Sequence, residues 1–282
     1  MKLAYPKYSV HKIYHENEFP FSPHEYSLFK FGKRSIAEKF ARQYFEYINE
    51  LFRQDCISGE VIIFPSPYKY IPTASGIMAQ EVINLLTTSE SAKRDITYTK
   101  SKINRSQTYS QDYGELSLEN RLKLIQNDVY IFDQTPKPDR TLLFIDDISI
   151  TGAHQAVIEQ VLIKSGVENR VYFSYFAELC NQKIKPQIEN VLNYYEVNTS
   201  QKIINLFFEE DFALTTRYVK RVLTFNAESL DEFLSLVKKT RKYDQLEKFY
   251  NASLHNDYHL HSDYAANLNT IELYLKNTFH TD

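Results

Sequence analysis

The chain has no tryptophan, and only six glycines, two cysteines and two methionines among its 282 residues. So little glycine excludes collagen-like repeats and glycine-rich linkers, and no internal repeat or low-complexity run is present. Cys56 and Cys180 lie far apart and in no metal-ligand spacing, which excludes a disulfide framework or a zinc module; both are expected as small buried thiols of a reducing compartment. No stretch approaches the roughly 20 apolar residues that cross a bilayer. Met1-Lys2-Leu3-Ala4-Tyr5-Pro6-Lys7 lacks the apolar core of a secretion signal, so a cytoplasmic location with no membrane partner is expected. Nor is there an excess charge of either sign: 33 basic against 36 acidic residues give −3, and the chain as a whole has no pull on nucleic acid.

Aromatic residues are plentiful, with 22 Tyr and 19 Phe in a chain that is 43% apolar. They are spread along the whole length, so they read as core filling before any stacking role. The size suffices for one large domain or a domain with an appendage.

The first thirty residues, rich in proline and aromatics, read as irregular. Ser35-Ile36-Ala37-Glu38 reads as a capping box, followed by Ile36, Phe40, Tyr44, Ile48 and Leu51 at helical spacing, which predicts a helix over 35–53. Glu60–Pro65 reads as a buried strand, 66–72 as a loop, 75–87 as a helix, and Ile96–Thr99 as a second strand. Residues 100–115 are polar without either periodicity, and 117–127 carry Leu118, Leu122 and Ile125 on one helical face. Thr141–Ile145 is a continuous apolar run, suited to a central parallel strand covered on both sides. A helix over 153–164 stops at Ser165-Gly166, and Val171–Phe176 is a further strand. This order predicts an open, mainly parallel α/β sheet with right-handed crossovers. From Lys183 onward only helices are expected, including 211–224, a second capping box at Ser229-Leu230-Asp231-Glu232, and 262–277. The division is therefore an α/β domain over 1–182 and a helical appendage over 183–282, packed on the sheet or on a partner chain, and compatible with a homodimer.

In such a sheet ligands bind beyond the C-terminal strand ends. The strand at 141–145 delivers Asp146-Asp147 there, then Ile148-Ser149-Ile150-Thr151-Gly152-Ala153-His154 into a helix. Paired carboxylates suit vicinal hydroxyls or a hydrated Mg²⁺. The turn from Ser149 to Ala153 suits a phosphate seated on the N-terminus of the next helix. A diol beside a phosphate describes ribose 5-phosphate.

These residues resemble the signature by which type I phosphoribosyltransferases bind 5-phosphoribosyl-1-pyrophosphate (PRPP). The resemblance spans roughly residues 30–180. It implies ribose hydroxyls on Asp146 and Asp147, 5-phosphate on Ser149 to Ala153, and Mg²⁺ reached by the two acids through water or PRPP. It places a pyrophosphate loop at Ser66-Pro67-Tyr68-Lys69, where Lys69 would neutralise charge. A hood follows the second strand, with Lys100, Lys102 and Arg105 beside the departing pyrophosphate and residues 1–55 contributing. Arg105, Thr108, Gln111 and Arg121 look like the competence-associated and amidotransferase-related branch.

Two positions depart from that pattern. His154 stands where the signature has Thr or Ser, and its imidazole would donate to phosphate in a pH-dependent way. Ile150 replaces the aspartate of branches acting on 6-oxopurines, which argues against hypoxanthine or guanine as acceptor. The resemblance implies transfer of a phosphoribosyl group to a nitrogenous acceptor. The other class of reading is a PRPP-responsive regulatory protein that has lost turnover. Lastly, His255, His259 and His261 lie near Asp257 and Asp263, but Asn251, Ser253 and Asn256 weaken a helix there. Packing is expected rather than a metal.

Overall fold

The computed structural model describes residues 5–89, 95–105, 130–132 and 137–279. Among these, five strands form one open, wholly parallel sheet. It comprises β1 (Lys7–Ile13), β2 (Gly59–Pro65), β3 (Ile96–Lys100), β6 (Thr141–Ser149) and β7 (Arg170–Leu179), in the order β1-β7-β6-β2-β3. The short strands β4 (Ile103–Arg105) and β5 (Tyr130–Phe132) pair antiparallel beside it. The helix expected over 117–127, along with Thr108, Gln111 and Arg121, lies outside the described residues.

The two-residue alternation of strand side chains sorts the core into two layers. Val61, Ile63, Leu143, Ile145, Tyr172 and Phe176 face α2 (Arg34–Gln54) and α3 (Ala74–Thr88), which bring in Phe40, Tyr44, Ile48, Met78 and Val82. On the opposite face Ile62, Leu142, Val171 and a stacked ladder of Phe64, Phe144 and Phe173 meet Val157, Ile158 and Leu162 of α4 (Ala153–Lys164). Coverage on both faces explains why β6 reads as one apolar run rather than an alternating one.

The N-terminal segment is not irregular. Residues 7–13 add the edge strand β1 beside β7, and Pro23–Lys30 form α1. Ser22 caps α1 by accepting from the Glu25 amide at 3.2 Å, with Pro23 in the first turn where no amide is needed. Prolines at positions 20 and 23 and the lack of alternation hid both elements.

Neither capping box forms. The helix α2 begins one residue earlier, at Arg34, and its N-cap Lys33 supplies no side-chain bond. Asp211 from the C-terminal region serves instead, its carbonyl accepting from Arg34 N at 2.9 Å and its carboxylate from Ser35 N at 3.3 Å. The later helix starts at Ala227, and Asn226 accepts from the amide of Ser229. The cysteines differ too: Cys56 is exposed, in a turn at φ 49°, and Cys180 is half-buried.

Beyond Leu179 the named elements among the described residues are helical: α5 (Ile188–Asn193), α6 (Ser200–Phe207), α7 (Thr216–Leu223), α8 (Ala227–Thr240), α9 (Tyr243–His255), a 3₁₀ turn at Tyr258–Leu260, and α10 (Ser262–Phe279). Their core, with Phe207, Tyr218, Phe233, Phe249, Tyr258 and Tyr264, also takes in Phe31 and Ile71 from the sheet-bearing part. The helices are therefore packed onto the α/β part of the same chain. No described helix is long and apolar enough to cross a membrane.

Gly32, between α1 and α2, is the tightest joint. Its φ is +101°, its carbonyl accepts from Ala213 N at 2.8 Å, and an added Cβ would lie 2.0 Å from the Ala213 carbonyl oxygen. Gly32→Ala therefore combines a left-handed penalty with a backbone clash and is expected to cost at least about 2 kcal/mol. The check is a fall in urea midpoint; an unchanged midpoint would show that this joint bears no stability.

Candidate functional site

The ladder between β2 and β6 ends at Pro65 and Ile145, while β6 runs on beside β7 to Ser149 and Glu178. From β2 the chain crosses to β3 on one side, and from β6 to β7 on the other. A crevice therefore opens at the C-terminal ends of β2 and β6, the topological switch point of the sheet. Proline has no amide for the ladder, which suits the place where β2 leaves β6.

Four more residues belong to β6 than the apolar run predicts. Asp146 to Ser149 continue the strand, Ser149 is buried, and the turn proper is Ile150-Thr151-Gly152. Gly152, at φ 71°, starts α4, a backbone state that favours glycine. Thr151 Oγ1 accepts from Ala153 N at 3.4 Å.

Because Asp146 and Asp147 are consecutive strand residues, they leave opposite faces of the sheet. Asp146 faces the crevice with Ser66, His154 and Tyr175 along its walls. Its Oδ1 accepts from Asp147 N at 2.8 Å, its Oδ2 contacts His154 Nδ1 at 2.9 Å, and Ser66 Oγ donates to it. Ser66 Oγ lies 2.7 Å from Ser75 Oγ, and Ser75 lies 2.9 Å from Thr73 Oγ1, so a polar chain links the first turn of α3 to the acid. Burial alone would raise the Asp146 carboxyl, but the His154 and Ser66 contacts prevail and hold it well below the usual carboxylate range.

Asp147 turns the other way, under α1. Tyr26 Oη donates to its Oδ2 at 2.9 Å, and Lys30 forms an ion pair with the same oxygen. Side-chain exposure is 13% for Lys30 and 8% for Asp147, so the pair is shielded from water. Burial is the largest influence on Asp147 and raises it to about 6, against the opposing pull of Lys30 and with help from neighbouring Asp146. Above that pH the lysine faces a carboxylate.

The pyrophosphate-loop and hood residues divide. Ser66 reaches Asp146, whereas Lys69 is ion-paired with Asp257 of the helical region. Lys102 donates to the Lys69 carbonyl and lies 4.6 Å from the centroid of the Tyr68 ring. Tyr68 also bridges to Asn104 of β4, so the start of the hood is tied to the loop. Lys100 donates to Gln80 at 3.0 Å. Arg105 belongs to β4, but its side chain lies outside the described residues.

Sequence reasoning missed Tyr26, Lys30 and Ser75. Ser22-Pro23-His24-Glu25 was a usable signal: it starts a helix on which residues 26 and 30, four apart, share one face. That this face would lie over Asp147 was not in the local pattern. In the histidine-rich segment His255 stacks on Tyr70 and Asp257 pairs with Lys69; among the described residues no three His, Cys, Asp or Glu side chains converge on one point.

A doubly covered open parallel sheet, with two consecutive acids at the end of its central strand and a glycine-started helix after them, defines the class of fold. The chain belongs to the phosphoribosyltransferase family described as PRTase ComF-like, which it matches over residues 5–271. That span takes in the helical region as well as the sheet. No curated protein matches. Two solved structures are similar at low identity. One is a hypoxanthine phosphoribosyltransferase from Staphylococcus aureus, at 11% identity, TM-score 0.32, covering 50% of this chain and 74% of that one. The other is the hypoxanthine phosphoribosyl transferase of Trypanosoma cruzi, at 10% identity, TM-score 0.31, covering 58% and 79%.

Lys30→Met removes the buried counter-charge of Asp147. The expected loss of stability is about 3 kcal/mol at pH 8. An acid whose folded pKa is raised contributes stability below its unfolded value near 3.9, and loses it as pH rises through about 6. The loss caused by Lys30→Met should therefore shrink at pH 5, where Asp147 is protonated. Urea unfolding at both pH values checks this, and equal losses would contradict the assignment.

Proposed function

We propose that the chain binds PRPP in the crevice between β2 and β6 and transfers its phosphoribosyl group to a nitrogenous acceptor with release of pyrophosphate. The observation that carries this reading is the contact between Ser66 and Asp146. It joins the segment expected to bind pyrophosphate to the segment expected to bind ribose, at the switch point of a phosphoribosyltransferase-family sheet. The turn at Ile150–Gly152 and the first amides of α4 would take the 5-phosphate.

The chemistry asks little covalent work of the protein. A nitrogen lone pair attacks C1 as the bond from C1 to the pyrophosphate oxygen breaks, and the electron pair leaves with pyrophosphate. The protein holds the sugar, excludes water and offsets the departing charge. Lys69, Lys100, Lys102 and Arg105 are the cations proposed for that last task. Mg²⁺, when bound, would supply further neutralisation. With two carboxylates at the site and no three-ligand cluster among the described residues, it would be held mainly by ligand phosphates, with Asp146 and Asp147 reaching it through water.

A second reading, a PRPP-responsive regulator without turnover, draws support from one contact. Lys69, expected at the leaving group, is held by Asp257.

Titration calorimetry with PRPP and Mg²⁺ tests binding. Asp146→Asn with Asp147→Asn should weaken it about 100-fold through loss of two charge-assisted bonds, and undiminished affinity would defeat the site. Affinity of the native chain should also fall as pH drops through about 6, as Asp147 takes up its proton. Pyrophosphate release on adding nitrogenous bases separates the two readings: release supports the enzyme, and binding without release supports the regulator.

A further inference from the structure

Residues 255–257, at the end of α9, meet residues 69–71 of the loop after β2. The His255 ring stacks on Tyr70, with centroids 4.6 Å apart and planes 21° from parallel. Asn256, only 2% exposed, uses its Oδ1 to accept from both Tyr70 N and Ile71 N at 3.0 Å. Asp257, held at φ 60°, pairs with Lys69. Ile71 is buried in the core of the helical region, and the Pro72 carbonyl accepts from Thr216 N at 3.0 Å. The two ends of this loop thus belong to different neighbourhoods. Ser66 is bonded to Asp146 in the crevice, whereas 69–72 are bonded to the helices.

The bonds in this clasp are of two kinds. Asn256 satisfies two backbone amides from a buried position, a contact that is costly to lose. The pair of Lys69 and Asp257 is part-exposed, at 28% and 40% of the side chains, and such pairs are weak and readily exchanged. A dianionic or more highly charged ligand arriving at the loop offers Lys69 a stronger partner than one carboxylate. Asn256 can hold the backbone while the lysine changes hands.

From this geometry we infer that the helical region is a working part of the site. Asn256 is a positioning residue that fixes the 69–71 backbone, and Asp257 is an internal anion that keeps Lys69 until a ligand diphosphate replaces it. This deepens the proposed function and rests on its placing of pyrophosphate at residues 66–69.

The test is calorimetry on the full chain with inorganic pyrophosphate and Mg²⁺ at low salt. Asp257→Asn is suited to it, because asparagine keeps the shape and tolerates the left-handed backbone. It should tighten pyrophosphate binding about two- to fivefold, the range set by a part-exposed pair. Lys69→Met should weaken binding, and adding Asp257→Asn to it should bring no gain. In parallel, hydrogen exchange of the Tyr70 and Ile71 amides should stay slow with and without pyrophosphate. Binding by Asp257→Asn no tighter than native, a gain that persists beside Lys69→Met, or amides that lose protection on binding would each overturn the inference while leaving the proposed function standing. If neither the native chain nor any variant binds pyrophosphate, the placing of the ligand fails and this inference with it.

Discussion

The parting of β2 from β6 after Pro65 and Ile145 is the constraint on which the site depends. Up to that point the two strands share a ladder and their side chains fill both layers of the core. Past it, β6 pairs among the described residues with β7 alone. The crossovers leave in opposite directions there, which makes this the switch point of the sheet. Ser66 from one strand end, Asp146 from the other, and His154 from the helix that Gly152 starts meet at this opening.

Strand alternation then gives the two acids different lives. Asp146 lies in a chain of hydroxyl and imidazole contacts that favours its charged form. Asp147 is under α1 with one lysine and one tyrosine, where burial pushes its proton affinity up. Asp146 keeps its charge and helps to raise Asp147, so of the two adjacent carboxylates it is Asp147 that holds a proton more readily. The separation is built by the pleat, and the N-terminal helix supplies the counter-charge.

The helical region is bound to the sheet-bearing part at several joints of different chemistry. Gly32 admits the backbone near Ala213, Asp211 caps α2, and Asn256 holds the loop after β2. A helix whose own N-cap contributes nothing, and a loop whose amides are satisfied from 185 residues away, are not independent of the part that completes them. That interdependence agrees with a family match running through both regions.

Much of this was present in the chain as written. The apolar run at 141–145, the acids after it and the Thr151-Gly152 turn determine a buried strand, a polar strand end and an anion-ready helix start. Local sterics and hydrogen bonding fix these within a dozen residues. Helices at 34–54, 74–88 and 153–164 follow from periodicity in the same way. What only the tertiary structure decided were the partners. The serine at position 35 lies inside the helix rather than at its cap, and the Asp211 carbonyl and carboxylate accept from the amides of Arg34 and Ser35. Lys30 found Asp147 across 117 residues, and Lys69 found Asp257 across 188. A charge in a sequence announces that it will need an opposite or a solvent, but which one it meets depends on how the helices come to rest against the sheet. That is settled by apolar packing rather than by the charge itself.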